Sequence, residues 1–190
     1  MQQIKEKDFD RIIYIGGIWN QKYKNNKWKK VLREKYPEKE IIFFTNIFYW
    51  TWQIKKIEKI ISSILEVLKN EKKTIIISHS FGGLIGKTVI SRLPKENMNQ
   101  IKLFISIASP HKMFFYQPLN ITRIKLKIPK NMPRTPFITF GGYLDPMVPF
   151  FMSHIDRKHS INFWVEHTSF YFFESIIHKV LNICIKKRQR

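Results

Sequence analysis

One serine in the chain stands where a nucleophile for acyl transfer would be exposed to a substrate. Ser80 lies in the sequence Ser78-His79-Ser80-Phe81-Gly82-Gly83, between the apolar run 74–77 and a helical pattern that ends before Pro94. A hydroxyl raised on a sharp strand-to-helix turn needs small neighbours, because the turn strains the backbone and the helix packs close to the strand. Ser78 and Gly82 provide them. We therefore predict that Ser80 is a nucleophile and not an ordinary turn or N-cap serine.

A nucleophilic serine needs a base, and the chain offers six histidines. In proteins built on a parallel sheet, the reacting groups gather at the carboxyl ends of the strands. His167 follows the apolar run 161–165, whereas His159 precedes this run and His178 lies within the last helical pattern. His79 is expected to point sideways from the turn that carries Ser80. The position after a strand favours His167 as the base.

A carboxylate must hold the imidazole in the correct tautomer and stabilise its charged form. The chain has four aspartates, and Asp145 follows the apolar run 136–140. Ser80, Asp145 and His167 then occur in an order along the chain that is known for serine triads. We predict Asp145 as the acid. Asp156 and Glu166 remain alternative acids, and Asp145 could instead serve only to begin a turn.

Two backbone N–H groups are candidates for the stabilisation of an oxyanion. One belongs to Phe81, the residue after the predicted nucleophile, and the other to Ile18 in the segment Gly16-Gly17-Ile18. Glycines in this segment let the backbone approach a substrate carbonyl closely, so Gly17 is included in the predicted oxyanion hole. Each such donor typically contributes about 3 kcal/mol to transition-state stabilisation.

Short apolar runs alternate with amphipathic stretches along the 190 residues. Continuous apolar strands separated by helices are typical of a parallel sheet that is covered on both faces. We predict one α/β domain, residues 1–190, folded as a three-layer sandwich around a mainly parallel six-stranded sheet. Residues 111–134 are too long for a tight connection, and we predict an irregular excursion or small cap there. The predicted strands are 11–15, 41–44, 74–77, 101–107, 136–140 and 161–165, and the predicted helices are 20–36, 52–69, 81–93 and 169–186.

The chain is strongly basic, with 34 Lys and Arg against 14 Asp and Glu and a formal net charge of +20. One interpretation is an AT-rich codon bias, which raises the lysine content without selection for function. The other is a positive surface field that attracts lipid headgroups, nucleic acid or acidic substrates. Within the excursion, Ile121, Ile124, Leu126 and Ile128 interleave with basic residues, as at the rim of a pocket that faces an anionic lipid surface.

Other features of the sequence limit the protein class. Cys184 is the only cysteine and lies in an apolar stretch, so we expect it to be buried and no disulfide to form. The N-terminal residues lack the apolar core of a secretory signal, and no segment has the length of a membrane span, so we expect a cytoplasmic protein. We expect no metal ion and no other cofactor. The sequence leaves the oligomeric state open.

These motifs together resemble the α/β-hydrolase superfamily and, within it, the small bacterial lipases and esterases. Residues 78–83 are similar to the family's Gly-His-Ser-x-Gly-Gly elbow except at Ser78. Ile15-Gly16-Gly17-Ile18 is similar to the family's His-Gly oxyanion segment, with Gly16 in place of the histidine. Ala108-Ser109-Pro110-His111 resembles a Pro-His segment of lipase-like members. The resemblance runs from about Arg11 to the last helix, and it implies substrate contacts at Gly16, His79 and His111.

The resemblance implies a serine hydrolase that cleaves carboxylic esters of lipids or other acyl compounds through an acyl-enzyme, with Ser80, His167 and Asp145 as the triad. A different hypothesis is a binding module of the same fold without turnover, directed to anionic lipid or another anionic partner. A third hypothesis is nucleic-acid binding, suggested by the charge and by the basic stretch 22–30. That stretch is better explained as the exposed face of a helix, so we expect no nucleic-acid partner.

Overall fold

The computed structural model describes residues 3–17, 27–45, 53–112, 124–129, 132 and 134–186. Eight strands and five α-helices occur in these ranges. The strands are β1 (Ile4–Lys5), β2 (Arg11–Ile15), β3 (Glu40–Phe44), β4 (Thr74–His79), β5 (Ile101–Ile107), β6 (Phe137–Gly142), β7 (Ser160–Phe163) and β8 (Ile185–Lys186). The helices are α1 (Lys27–Lys35), α2 (Ile54–Val67), α3 (Gly82–Arg92), α4 (Ser169–Phe172) and α5 (Glu174–Cys184). Short 3-10 helices occupy Glu6–Asp8, Leu68–Asn70, Lys95–Gln100 and Phe150–Met152.

The main sheet has six strands in the order β3-β2-β4-β5-β6-β7, and all neighbouring pairs are parallel. Parallel strands bring their carboxyl ends to one edge of the sheet, so the residues that follow β2, β4, β6 and β7 lie at the same edge. The predicted α/β fold with a mainly parallel six-stranded sheet is confirmed. The predicted strand positions agree with the observed ones to within two residues at each end.

Helices cover both faces of this sheet, as predicted. Alternate side chains of a strand point to opposite faces. In β2, Ile12 and Tyr14 pack with buried residues of α1 and α5, whereas Ile13 and Ile15 pack with those of α2 and α3. These two groups of buried apolar residues therefore fill the space between the sheet and the helices on each of its faces.

The end of the chain differs from its prediction as one helix over residues 169–186. The helix is interrupted at Phe173, whose φ of −99° and ψ of 106° are extended. The interruption separates α4, which buries Phe170 and Tyr171, from α5, which packs Ile177 and Val180 into the core. Beyond α5 the chain forms β8, which pairs with β1 as a separate two-stranded parallel sheet. Cys184 is fully buried, as expected.

The excursion at 111–134 is described only in part, at residues 111, 112, 124–129, 132 and 134. Leu126 is fully buried and Ile128 is nearly so, both in the cluster of α2 and α3. Arg92 donates a hydrogen bond to the Leu126 carbonyl at 2.9 Å. The prediction that these two apolar side chains line an exposed rim is therefore wrong, because they anchor the segment on the core. The predicted rim residue Ile121 lies outside the described residues.

Among the described residues, the structure contains no helix with the length and apolar character that crossing a membrane requires.

Candidate active site

Ser80 follows the last residue of β4 and precedes α3, on a turn with unusual backbone geometry. Its φ is 53°, in the left-handed region that residues with a side chain rarely adopt. The Ser80 N–H donates to the Ile107 carbonyl of β5 at 2.8 Å, and the Ser80 carbonyl accepts from Gly83 N–H at 3.0 Å. Such strain costs about 1–3 kcal/mol and persists only where the surrounding structure holds it. The side chain of Ser80 is partly exposed, so the strained turn presents its hydroxyl at the carboxyl edge of the sheet.

The close approach of α3 to the sheet explains the two glycines after Ser80. A Cβ atom on Gly82 would lie 2.4 Å from the Ile15 carbonyl oxygen, and a Cβ on Gly83 would lie 2.1 Å from Ser109 Oγ. Only glycine fits at these contacts. The departure from the family pattern at Ser78 also has a local explanation, because its buried hydroxyl donates to the Ile105 carbonyl at 3.1 Å.

The structure places Asp145 and His167 in direct contact. His167 Nδ1 lies 2.7 Å from Asp145 Oδ2, and both side chains are almost fully buried. The other carboxylate oxygen, Oδ1, accepts the N–H groups of Met147 at 2.9 Å and Val148 at 2.8 Å. Glycine at 142 lets the loop of Asp145 pack closely against the loop of His167, since a Cβ at 142 would lie 2.3 Å from the Val165 carbonyl oxygen.

His79 supports His167 from the core. It is fully buried, and its Nε2 lies 3.3 Å from the His167 carbonyl oxygen, which can only accept, so Nε2 carries the proton. The two rings lie 4.8 Å apart between centroids. Burial, and secondarily the neighbouring His167, hold the pKa of His79 well below its usual value, so the ring is neutral. The predicted substrate contact of His79 is not available in this structure, because the side chain has no exposed surface.

Ser80 and His167 lie at the same edge of the sheet without a hydrogen bond between their side chains among the described contacts. The link between them is His79, which is the chain neighbour of Ser80 and contacts the His167 carbonyl. In unliganded enzymes, catalytic hydrogen bonds are often long and tighten when the substrate binds.

Gly17, the second of the two glycines after β2, lies directly over the Ser80 side chain. A Cβ on Gly17 would be 2.7 Å from Ser80 Cβ, 3.2 Å from Ser80 Oγ and 3.2 Å from the Tyr171 hydroxyl. The Gly17 N–H donates to this hydroxyl at 3.3 Å. Tyr171 of α4 is thus a site residue that sequence analysis missed, because its position in an aromatic run indicated only a core helix. Phe81 is buried at the start of α3, and the predicted donor Ile18 lies outside the described residues.

The other two predicted substrate contacts, Gly16 and His111, are also buried. Gly16 N–H continues the sheet by donating to the Phe44 carbonyl at 2.9 Å. His111 is 2% exposed and its Nε2 lies 2.8 Å from Ser106 Oγ, which in turn contacts Ser109 Oγ. Burial, followed by the charge of Lys87, lowers the pKa of His111 well below its usual value. Because Ser109 also touches Gly83, this polar cluster supports the base of the Ser80 turn and does not face a substrate.

Neither alternative acid is hydrogen-bonded to His167 among the described contacts, where Asp145 is its partner. Asp156 pairs with His159, whose Nδ1 is 2.9 Å from Asp156 Oδ2, at the amino end of β7. Glu166 is exposed.

Comparison with protein families identifies one match, the PGAP1-like alpha/beta domain, over residues 39–141. This segment is more than half of the 190-residue chain. The comparison with curated protein sequences yields no match.

Solved structures with the same fold include an esterase domain, a monoacylglycerol lipase and a third protein, Est1E. An esterase domain of a Rhodothermus marinus protein superposes with a TM-score of 0.61 at 12% identity, covering 94% of this chain and 86% of the other. Est1E from Butyrivibrio proteoclasticus gives 0.61 at 13% identity, with coverages of 96% and 88%. A monoacylglycerol lipase from Paleococcus ferrophilus gives 0.60 at 12% identity, with coverages of 95% and 94%. At these identities the likeness establishes a shared fold.

Proposed function

This chain belongs to the PGAP1-like alpha/beta domain family within the α/β-hydrolase superfamily, and from this premise we propose that it is a serine hydrolase of carboxylic esters. Ser80 is the nucleophile, His167 the general base and acid, and Asp145 the group that orients His167. The observation that carries the proposal is the buried 2.7 Å contact between Asp145 and His167, at the sheet edge where a strained turn exposes Ser80. The esterase domain and the monoacylglycerol lipase with the same fold support an ester as the substrate.

In the proposed reaction, Ser80 Oγ adds to the ester carbonyl carbon and its proton passes to Nε2 of His167. The Asp145 carboxylate accepts the Nδ1–H of His167 and stabilises the imidazolium that forms. The N–H groups of Phe81 and Ile18 donate to the oxyanion, next to Gly17. The bond from carbon to the alcohol oxygen then breaks, and the departing alkoxide takes the proton from His167.

Water completes the cycle. It gives a proton to His167 as its oxygen adds to the acyl carbon, and the bond between that carbon and Ser80 Oγ breaks. His167 returns the proton to Ser80, and the carboxylic acid leaves.

Stopped-flow hydrolysis of soluble p-nitrophenyl acyl esters tests this proposal. We expect the wild-type protein to release p-nitrophenol in a burst of one equivalent of enzyme, followed by a slower steady state, because an acyl-enzyme accumulates. Ser80→Ala should lose the burst and the turnover. Ser91→Ala is the matched control, since the exposed Ser91 lies on α3 and its hydroxyl donates to the Thr88 carbonyl of the same helix.

Turnover by Ser80→Ala at the wild-type rate, or no turnover by folded wild type across the ester series, would overturn the proposal.

A further inference from the structure

A group of large apolar side chains is exposed beside the proposed site, at the carboxyl ends of β6 and β7. These side chains keep between 42% and 76% of their surface exposed, with Trp164 the most exposed. Asp145 lies in the same loop as three of them. We call this group the aromatic rim; its members are Tyr143, Leu144, Met147, Phe151 and Trp164.

The rim is continuous across two segments of the chain. The Tyr143 ring lies 4.7 Å from the Trp164 ring and 4.9 Å from the Phe150 ring, and Phe150 lies 5.6 Å from Phe151. The Tyr143 N–H donates to the Phe163 carbonyl at 2.8 Å, which fixes the β6 loop against the end of β7. A contiguous exposed apolar surface of this kind on a folded protein marks an interaction site.

The chemistry of the rim fits a lipid surface. Tryptophan and tyrosine are enriched at membrane interfaces, because their apolar rings enter the acyl boundary while their polar atoms stay in the headgroup layer. Leucine, methionine and phenylalanine complete an apolar face.

The charge around the rim fits an anionic lipid surface. Lys112 is exposed and lies beside the rim, because its backbone N–H donates to the carbonyl of Met152, the residue after Phe151. Among the described residues near Trp164, Glu166 is an exposed carboxylate that opposes this trend. The formal net charge of +20 adds a long-range attraction to anionic headgroups.

We propose that the aromatic rim docks the protein onto an anionic lipid bilayer, with the carboxyl edge of the sheet facing the headgroups. Docking in this orientation brings Ser80 to the surface from which an acyl lipid would enter. The assignment of acyl lipids as substrates rests on the proposed ester hydrolysis, whereas the docking itself does not require turnover.

Vesicle co-sedimentation of the Ser80→Ala protein tests the docking without lipid hydrolysis. The vesicles contain phosphatidylcholine alone or phosphatidylcholine mixed with phosphatidylglycerol, and we expect binding to the mixed vesicles that is at least about tenfold stronger. Adding Phe151→Ser and Trp164→Ser should weaken binding to the mixed vesicles by at least about tenfold, because both apolar anchors are lost. Phe173→Ser is the matched control, since Phe173 is 57% exposed at the junction of α4 and α5, outside the rim.

A second measurement avoids polar substitutions in the rim. Brominated phospholipids in the mixed vesicles should quench the tryptophan fluorescence of the Ser80→Ala protein, and Trp164→Phe should remove most of the quenching while the protein stays bound.

Wild-type binding by the double rim variant, or equal binding to neutral and mixed vesicles, would overturn the proposal. Failure of ester hydrolysis together with rim-dependent binding would overturn only the proposed function and leave the docking in place.

Discussion

The two oxygens of the Asp145 carboxylate make different kinds of contact, which can be separated by substitution. Oδ2 faces His167 Nδ1, and Oδ1 accepts the N–H groups of Met147 and Val148. One oxygen therefore serves the proposed chemistry, and the other holds the loop that carries the residue.

Asp145→Asn should separate the two roles. The amide oxygen can still accept the two loop N–H groups, but the amide N–H₂ would face Nδ1 and favour the wrong tautomer of His167. We expect kcat to fall by about a thousandfold or more, with the free energy of unfolding little changed. Asp145→Ala should lose activity as well and also lower the free energy of unfolding by about 1–3 kcal/mol, because two N–H groups lose their acceptor. Ester kinetics and urea unfolding measure both effects; wild-type kcat in Asp145→Asn would contradict the role of the carboxylate.

Tyr171→Phe probes the residue that sequence analysis missed. The Tyr171 hydroxyl accepts the buried Gly17 N–H, so its removal should loosen the segment over Ser80. We expect kcat/KM to fall by about five- to tenfold, mostly through kcat, since about 1 kcal/mol of hydrogen bonding is lost at the site. Tyr36→Phe is the control, because the buried Tyr36 hydroxyl, just beyond α1, has no hydrogen-bond partner among the described residues. An equal loss in both variants would indicate a general effect on stability.

The sequence was sufficient to predict where Asp145 and His167 lie, because each follows a recognisable apolar strand and parallel strands end at one edge. It was not sufficient for the side chains around them. Tyr171 looks like a core residue in the sequence, whereas in the structure it lies in the short helix α4 and its hydroxyl accepts the Gly17 N–H. The burial of His79 and His111 depends on packing between strands that are distant in sequence.

At the scale of the elements, the critical contact is that between the start of α3 and the end of β2. Gly82→Ala places a Cβ 2.4 Å from a backbone carbonyl oxygen that cannot move without disturbing β2. We expect the free energy of unfolding to fall by about 3 kcal/mol, as in overpacked cores, with loss of activity because the Ser80 turn shifts. Urea unfolding measures this.

Gly86→Ala, one turn further along α3, is the matched control. Its Cβ would lie 2.7 Å from Cε2 of the Phe104 ring, which is the outer part of a side chain. Alanine is also favoured over glycine inside a helix by about 1 kcal/mol, which offsets part of the crowding. Equal destabilisation by the two variants would contradict the special role of the Gly82 contact.

Strand positions could be predicted well because buried parallel strands are nearly continuous apolar runs. The break in the last helix could not be predicted, because the sequence from Phe170 to Ile185 contains neither proline nor glycine. The interruption at Phe173 separates α4, whose Tyr171 lies at the site, from α5, whose aliphatic residues Ile177 and Val180 pack on the sheet.

At the scale of the whole molecule, several histidines are buried in a strongly basic protein. Burial is the largest cause that lowers the pKa of His79, His111 and His154. The folded protein keeps these rings neutral, whereas the unfolded chain binds protons below about pH 6.5. Stability is therefore retained at neutral pH and is lost as the pH falls through that value.

The pH dependence of unfolding checks this expectation. We expect the free energy of unfolding to fall between about pH 7.5 and about pH 5.5, with each buried histidine contributing up to about 1.4 kcal/mol per pH unit. His111→Gln should make the dependence shallower, with the exposed His178→Gln as its control. A free energy of unfolding that is unchanged across this range would contradict the neutral, buried state of these rings.

If Ser80 is an activated nucleophile, a fluorophosphonate probe should attach to it covalently, and the mass of the intact protein after treatment measures the adduct. We expect one adduct on the wild-type protein and on Ser91→Ala, none on Ser80→Ala, and slow labelling of Asp145→Asn. A folded wild-type protein that forms no adduct, or a Ser80→Ala protein that still forms one, would contradict this role of Ser80.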